Sequence, residues 1–248
     1  MIKVNFHLLY SVEMSLKGIF PIDKWIFRSR SILESLTTNE TERLLSDAVA
    51  QNFRKGQIIF RENNPAFGIY YIKEGKVKKY KQDRNGNEHI IYVANAGELI
   101  GYHAILADNT YPDSAAALED CMIAFIPRDA FLLAIESSAN LSRHLLGALS
   151  HEYNVLSNSL SIVARHSAKE RLAISLIVLR EKYKSSEYDT GDICITISRK
   201  DLASMTATTE ENVVRMLKEL KKDNIVGTIG RKIIIYDVKS LIKMTNYQ

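Results

Sequence analysis

Residues 97–116, GELIGYHAILADNTYPDSAA, set glycines, a short helical turn and converging polar residues together, the make-up of a loop that holds a small ligand. An anionic ligand needs a positive partner there, yet the polar positions carry Tyr102 and Asp113. Of the histidines, His103 lies in this loop, while His144 and His151 stand seven residues apart further on. All three are ligand-type residues, although a lone histidine on a packed face is more often a hydrogen-bonded structural group. Cys121 and Cys194 are far apart, show no C-x-x-C spacing and are too few for a four-cysteine cluster. Their apolar, alternating surroundings predict buried thiols in a reducing compartment. SHEYN at residues 150–154 is not H-E-x-x-H, and no Gly-rich phosphate loop, metal cluster or nucleophile constellation is legible, so the chain is not expected to be an enzyme.

The chain has 248 residues, 46% hydrophobic and 25% charged, enough for one or two cores, with two compact domains the natural expectation. No eighteen-residue apolar run exists, and Glu13 and Lys17 interrupt a start that lacks a small-residue cleavage site. A soluble, cytoplasmic protein with no membrane contact is expected. The net charge of +4 is unevenly placed: residues 167–248 hold 15 Lys and Arg against 11 Asp and Glu, whereas residues 1–166 balance at 18 and 18. That distribution suits either a C-terminal surface for an anionic polymer or an ordinary solvated face.

These residues need elements to position them. From about 50 to 128, short apolar or alternating runs are punctuated by Gly56, Gly68, Gly75, Gly86 and Gly97, and YIKEGKVKKYKQDRNGNEHIIYV turns at Asn85-Gly86. The pattern predicts an antiparallel barrel or sandwich. From about 129 the period becomes helical. Leu146, Tyr153 and Leu160 recur at seven, as do Leu149, Leu156 and Val163 three residues later, which is the a/d pattern of a parallel homodimer seam. A stripe packed on its own domain is the alternative. From about 167, a helix, a polar break (SSEYDTGD) and ICITIS lead into two short helices. Ser198-x-x-Asp201 and Thr208-x-x-Glu211 are capping-box-like starts, with TAT between the helices. That is a helix-turn-helix, and IVGTIGRKIIIYD adds a hairpin wing through Gly230.

The barrel phrase YYIKEGKVKKYKQDRNGNEHIIYVANAGELIG, the run SAAALEDCMIAFIPRDAF, the hinge AKERLA and the module ISRKDLASMTATTEENVVRMLKELKKDNIV occur in one order. Taken together they resemble the cAMP receptor protein and FNR (Crp/Fnr) family of bacterial transcription regulators over about residues 30–240. The resemblance implies an α+β chain: an N-terminal cyclic-nucleotide-binding-like β-barrel (a double-stranded β-helix or jelly roll), a long dimerisation helix and a C-terminal winged helix-turn-helix. The expected divisions are an extension at 1–30, the effector-sensing barrel at 31–137, the dimerisation helix at 138–166 and the DNA-binding domain at 167–248. The extension lies outside the resemblance and is expected to be either a helix or residues preceding the true start. Double-stranded DNA and a second copy of the chain are the implied partners, together with RNA polymerase through the family.

In the resemblance, Glu211 and Arg215 match the glutamate and arginine that these regulators present to a C and a G. The chemistry agrees, since Glu accepts from the cytosine amino group, Arg pairs bidentately with guanine, and a spacing of four puts both on one helical face. Glu210 departs from the arginine of the cAMP receptor proteins, so the half-site should differ there. Arg199, Lys200, Thr208, Thr209, Asn212 and Lys218 are candidate phosphate or base-edge contacts, while Val213 and Leu217 read as core. Residues 97–116 align with the family's phosphate-binding cassette, where an Arg-Ser or Arg-Thr pair clamps the cyclic phosphate and a glutamate takes the ribose hydroxyl. Tyr102 stands at that glutamate's position, Asp113 at the arginine's, and only Ser114 of the pair is kept. Gly97, Glu98, Ile100, Gly101, His103, Ala115 and Ser157 complete the expected effector pocket. A carboxylate in place of the arginine is repulsive to phosphate, so cAMP is not expected to bind. No cofactor is expected, haem on His103, His144 or His151 being the option that some relatives suggest. A sensor module within a signalling enzyme and an interaction scaffold with a vestigial helix-turn-helix are the competing functions.

Overall fold

A computed structural model describes residue 16 and residues 19–27, 30–184 and 192–246. Most of the expected extension, and the polar break at 185–191, lie outside the described residues. Eight strands, β1 (Val49–Phe53), β2 (Ile58–Phe60), β3 (Gly68–Glu74), β4 (Lys76–Gln82), β5 (Glu88–Asn95), β6 (Leu99–Ile100), β7 (Ser114–Ala117) and β8 (Cys121–Pro127), form two antiparallel sheets. Their orders are β1-β8-β3-β6 and β2-β7-β4-β5, so β3 and β4, adjacent in sequence, lie in different sheets, as a jelly roll requires. Gly75 makes that passage between sheets at φ 88°, and a Cβ there would come within 2.6 Å of Cys121 Sγ. β4 and β5 meet around Gly86, where the Asp83 carboxylate accepts from the backbone N–H groups of Asn85 and Asn87, both at 2.8 Å.

Short helices α1 (Arg30–Glu34) and α2 (Thr38–Leu45) precede the roll, and α3 (Tyr102–Leu106) sits inside the cassette. The helical region is interrupted after α4 (Arg128–Ser137) by Ser138, which takes extended φ/ψ and accepts from the Leu141 N–H, capping α5 (Ala139–Arg165). At 27 residues, α5 runs about 40 Å. Leu141, Leu145, Ala148, Glu152, Val155 and Ile162 form its buried stripe against the chain's own core. The heptad residues point elsewhere: Leu146, Tyr153 and Leu160 are 69%, 73% and 74% exposed, Leu156 and Val163 are also exposed, and Leu149 is half-buried. A different stripe of α5 thus packs on the chain's own core, with Leu149 alone of the heptad residues against it.

A capping box at Ser167 and Glu170 starts α6 (Ala168–Tyr183) two residues after α5 ends. Beyond it, β9 (Ile193–Thr196), α7 (Arg199–Met205), α8 (Glu210–Lys222), β10 (Val226–Ile229), β11 (Lys232–Ile235) and α9 (Val238–Met244) complete the described chain. The last three strands pair antiparallel in the order β10-β11-β9, and Gly230 turns the wing at φ 57°. One sequence expectation fails in β9. Cys194 is exposed, because Ile193 and Ile195 take the inward phase of a period-two strand; Cys121 is buried as expected.

Two cores result. One fills the roll and the helices beside it; the other unites α6–α9 with Tyr80, Ile90 and Val93 from the outward face of the β4–β5 pair. The expected extension is not a helix at residues 22–24, which form a single 3-10 turn, Ile22–Lys24. Phe20 and Trp25 pack on the second core and Phe27 on the first, and the carbonyl of Ile26 accepts from His151 Nε2 at 2.9 Å. No helix among the described residues is long and apolar enough to cross a membrane.

Candidate nucleic-acid interface and effector cassette

Helix α8 buries Val213, Met216, Leu217 and Leu220 and turns Glu210, Glu211, Arg215 and Lys218 to solvent. Its start corrects the sequence reading. Thr209 is the N-cap, accepting from the Asn212 N–H, whereas the Thr208 hydroxyl accepts from Asn212 Nδ2 at 3.3 Å. The slip of one residue arises because Ala207, at φ 47°, takes the left-handed position of the turn and lengthens the connection to Thr206–Thr209. Ser198 caps α7 as expected. Arg215 lies across its own helix, Nη1 donating to Glu219 at 3.3 Å and Nη2 to Asn212 Oδ1 at 3.4 Å, both in solvent and both weak enough to exchange for another acceptor. The backbone N–H at the helix start, then the Thr209 hydroxyl, hold the Glu211 carboxyl below its ordinary range, so it stays an acceptor at neutral pH.

Lys200 is exposed at the start of α7, but Arg199 is half-buried. Its Nη2 donates to the Gly230 carbonyl at 3.0 Å, tying α7 to the wing. Arg171, which the sequence reading did not single out, has the larger positioning role. Its guanidinium donates to the carbonyls of His166 (2.6 Å), Thr206 (2.7 Å) and Ala207 (3.0 Å), binding the α5–α6 hinge to the helix-turn-helix turn.

In the cassette, Gly101 stands at φ 83° as the N-cap of α3, and a Cβ there would lie 3.1 Å from the Tyr111 ring. Gly97 and His103 are half-buried, Glu98, Ile100, Tyr102, Asp113, Ser114 and Ala115 are buried, and groups from elsewhere in the chain meet the polar groups among them. Lys79, on the inward phase of β4, reaches Asp113 Oδ2 at 3.2 Å with both side chains 5% exposed, and His103 Nε2 is 3.8 Å from the same oxygen. Asp113 Oδ1 is buried without a hydrogen-bond partner. Burial works against charge on Asp113, but Lys79 and His103 together outweigh it and hold the carboxyl below its ordinary range. Burial, then Lys79, push His103 down, so the ring is neutral at pH 7. The Ser114 hydroxyl is engaged with the Glu62 N–H at 2.9 Å.

Glu152, also missed, comes from the buried stripe of α5 and accepts from the Tyr102 hydroxyl; burial raises both groups. Ser157 lies on another face of the same helix. It is exposed, about 140° around α5 from Glu152, because five residues do not return to one helical face. Tyr92 donates to Glu98 Oε2 at 2.6 Å, and Phe27 stacks on the Tyr92 ring with centroids 3.8 Å apart. Lys182 of α6 reaches Glu98 Oε1 at 2.6 Å and donates to the Tyr92 oxygen. The three histidines do not converge: His103 is beside Asp113 and His151 is bonded to Ile26. Among the described residues no group of three or more His, Cys, Asp or Glu is arranged to hold a metal.

A jelly roll carrying such a cassette, joined by one long helix to a winged helix-turn-helix, defines a sensor-type transcription regulator on a single chain. The comparisons agree with that class. A family model described as the cyclic nucleotide-binding domain matches residues 50–138, and one described as the Crp-like helix-turn-helix domain matches residues 170–244. An anaerobic regulatory protein of Pasteurella multocida is 27% identical over 84% of this chain and 77% of its own length. The fumarate and nitrate reduction regulatory protein of Escherichia coli is 25% identical over 85% of each. Among solved structures, FixK2 from Bradyrhizobium japonicum superposes with a TM-score of 0.71 at 22% identity, covering 81% of this chain and 98% of that one. The c-di-GMP responsive regulator CLP of Xanthomonas campestris gives 0.69 at 20%, covering 81% and 100%. The chain belongs to the Crp/Fnr family of transcription regulators, and is not an enzyme.

Proposed function

We propose that the chain works as a cytoplasmic homodimer, joined along the exposed stripe of α5, that places two α8 helices one DNA turn apart on a pseudo-palindromic site. The observation that carries this reading is the division of α8 into a buried apolar face and a solvent face with Glu211 and Arg215 at its N-terminal turn. Arg215 reads a guanine and Glu211 a cytosine; Lys200, Thr208, Thr209, Asn212 and Lys218 contact phosphates or base edges. Glu210 repels an acceptor at the position next to them. Arg199 supports these contacts by holding the wing. RNA polymerase is the partner of the bound dimer.

The test compares two variants on a duplex selected by the protein from a random pool. Arg215→Ala costs about 1–3 kcal/mol at a site retaining the G and removes the preference for that base, whereas Lys218→Ala weakens binding to all duplexes alike and lowers the salt slope by about one. Equal losses for Arg215→Ala on selected and scrambled DNA would refute the base-reading role.

For the cassette, the reading is that cAMP is not the effector. Its phosphate would meet Asp113 where it needs an arginine, and the cations at the cassette are already paired, Lys79 with that carboxylate and Lys182 with Glu98. A thermal melt with cAMP therefore shows no shift at concentrations where a ligand at a hundred times its Kd would add about 2.7 kcal/mol. A clear upward shift overturns the reading.

A further inference from the structure

A cleft of about 390 Å³ lies in the roll, lined by none of the residues expected in the effector pocket. Both sheets contribute to it. Register puts Gln51 and Phe53 of β1, Phe125 of β8 and Tyr70 of β3 on one face of their sheet, and that face forms one side. Phe60 of β2 and residues that lead from β2 to β3 form the other. Six aromatic rings result, those of Phe53, Phe60, Phe67, Tyr70, Tyr111 and Phe125, and no charged side chain is among the lining residues.

The rings are held by the fold itself. Phe60 stacks on Tyr111 with centroids 4.2 Å apart and on Tyr70 at 5.4 Å, and Tyr70 tilts against Phe125 at 5.3 Å. The Tyr111 hydroxyl donates to the Gly68 carbonyl at 2.7 Å. A Cβ on Gly68 would come within 2.6 Å of the Phe125 ring, so glycine lets that ring lie on bare backbone. The connecting residues are fixed as well: the Tyr111 N–H donates to the Asn64 carbonyl at 3.0 Å, and the Arg128 N–H to that of Phe67 at 2.9 Å. On this anchored backbone the Phe67 side chain is nevertheless 73% exposed. Gln51 and Asn64, also exposed, add amide donors and acceptors to the lining.

That lining selects the chemistry of its occupant. An ionised ligand would lose hydration there and gain no opposite charge. Another ring stacked or set edge-on against these rings gains about 0.5–1.5 kcal/mol per pair beyond the area it buries. The volume falls in the range of roughly 300–1,000 Å³ typical of small-molecule pockets, whereas a protein partner engages about 20–30 residues a side and ten line this cleft.

We propose that the cleft is a ligand site distinct from the cassette, which takes an uncharged planar aromatic molecule against the Phe67, Tyr70 and Phe125 rings, with the Gln51 or Asn64 amide bonding to its polar edge. The site stands whether or not the chain reads DNA as described above.

Indole is the probe, with cationic tryptamine and anionic indole-3-acetate as its charged counterparts. Each is titrated into the full-length protein and followed by backbone amide shifts. Indole should give saturable shifts at residues 59–70, Tyr111 and Phe125, and bind about tenfold tighter than either charged analogue, a difference of about 1.4 kcal/mol. Phe67→Ala should weaken indole about tenfold as well, through loss of one ring and the area it covers. Because Phe67 is exposed, the variant should keep the wild-type urea midpoint, which separates loss of the site from loss of fold. No saturable shift up to the solubility of indole overturns the proposal, as do equal affinity for the charged analogues, unchanged affinity in Phe67→Ala, and shifts centred on Tyr92 and Tyr102 of the cassette. Shifts of the same residues with protein concentration alone would assign the cleft to a second copy of the chain and overturn it too.

Discussion

Replacing Lys79 with methionine destabilises the chain by about 3–5 kcal/mol, the cost of leaving a buried charge without its partner. Asp113 is almost fully buried, its Oδ2 is held by Lys79, and its Oδ1 already lacks a hydrogen bond. His103, 3.8 Å away and neutral, offers little replacement at pH 7. The sign of the pH dependence can be worked out. In the wild type the Asp113 carboxyl is depressed, so its stabilisation is fully present above the unfolded value of about 3.9 and is lost as pH falls through the folded value. Without Lys79, burial dominates and the folded value rises above the unfolded one, so the penalty grows as pH rises. Loss of Lys79 also removes one of the causes that keep His103 deprotonated, which lets the imidazolium pair with Asp113 in acid. Urea unfolding should therefore show a wider gap between wild type and Lys79→Met at pH 8 than at pH 5. Adding Asp113→Asn should recover most of the loss, because a neutral buried amide lacks the charge penalty. An equal gap at both pH values would mean that Asp113 does not carry the charge.

The elements of this fold were legible because each has a local signature. Glycines at the strand ends, Asn85-Gly86 in the hairpin, Ser198 before α7 and Gly230 in the wing act over a few residues, and the structure keeps all of them. The interior of the cassette was only half legible. Tyr102 and Asp113 stand in the sequence where the resemblance puts a glutamate and an arginine, but the groups that meet the cassette come from distant segments: Lys79 in β4, Glu152 in α5, Lys182 in α6 and Phe27 ahead of the roll. Two of these did leave a trace. Lys79 falls on the same inward phase as Val77, and Glu152 follows Leu145 and Ala148 on the buried stripe of α5, each a charge where the period calls for an apolar residue. Lys182 and Phe27 left none, since docking of one module on another has no sequence period. Thr208 was misplaced by one residue, because a left-handed alanine in the turn has no strong sequence mark.

Leu156→Glu should halve the mass of the protein in solution and lower its affinity for a two-half-site duplex by about 10²–10⁴, the advantage that linking two binding modules supplies. The stripe of Leu146, Tyr153, Leu156, Leu160 and Val163 is exposed on the single chain, while the opposite stripe is fully used by the barrel. These five residues belong to neither core of the described chain, and a contiguous apolar row on a helix of 27 residues is the kind of surface that takes a partner. A parallel pairing brings each Leu156 near its own counterpart, so one substitution places two carboxylates together in a desolvated seam. Because Leu156 faces solvent in the isolated chain, the same change should leave protomer stability within about 0.5 kcal/mol, as for other surface substitutions. That separates loss of dimer from loss of fold. Scattering mass, urea midpoint and affinity for a single half-site are the three measurements, and the single half-site should bind the variant as it binds one arm of the wild type. An unchanged mass would show that the seam does not join two copies, and the spacing of two recognition helices would then need another origin.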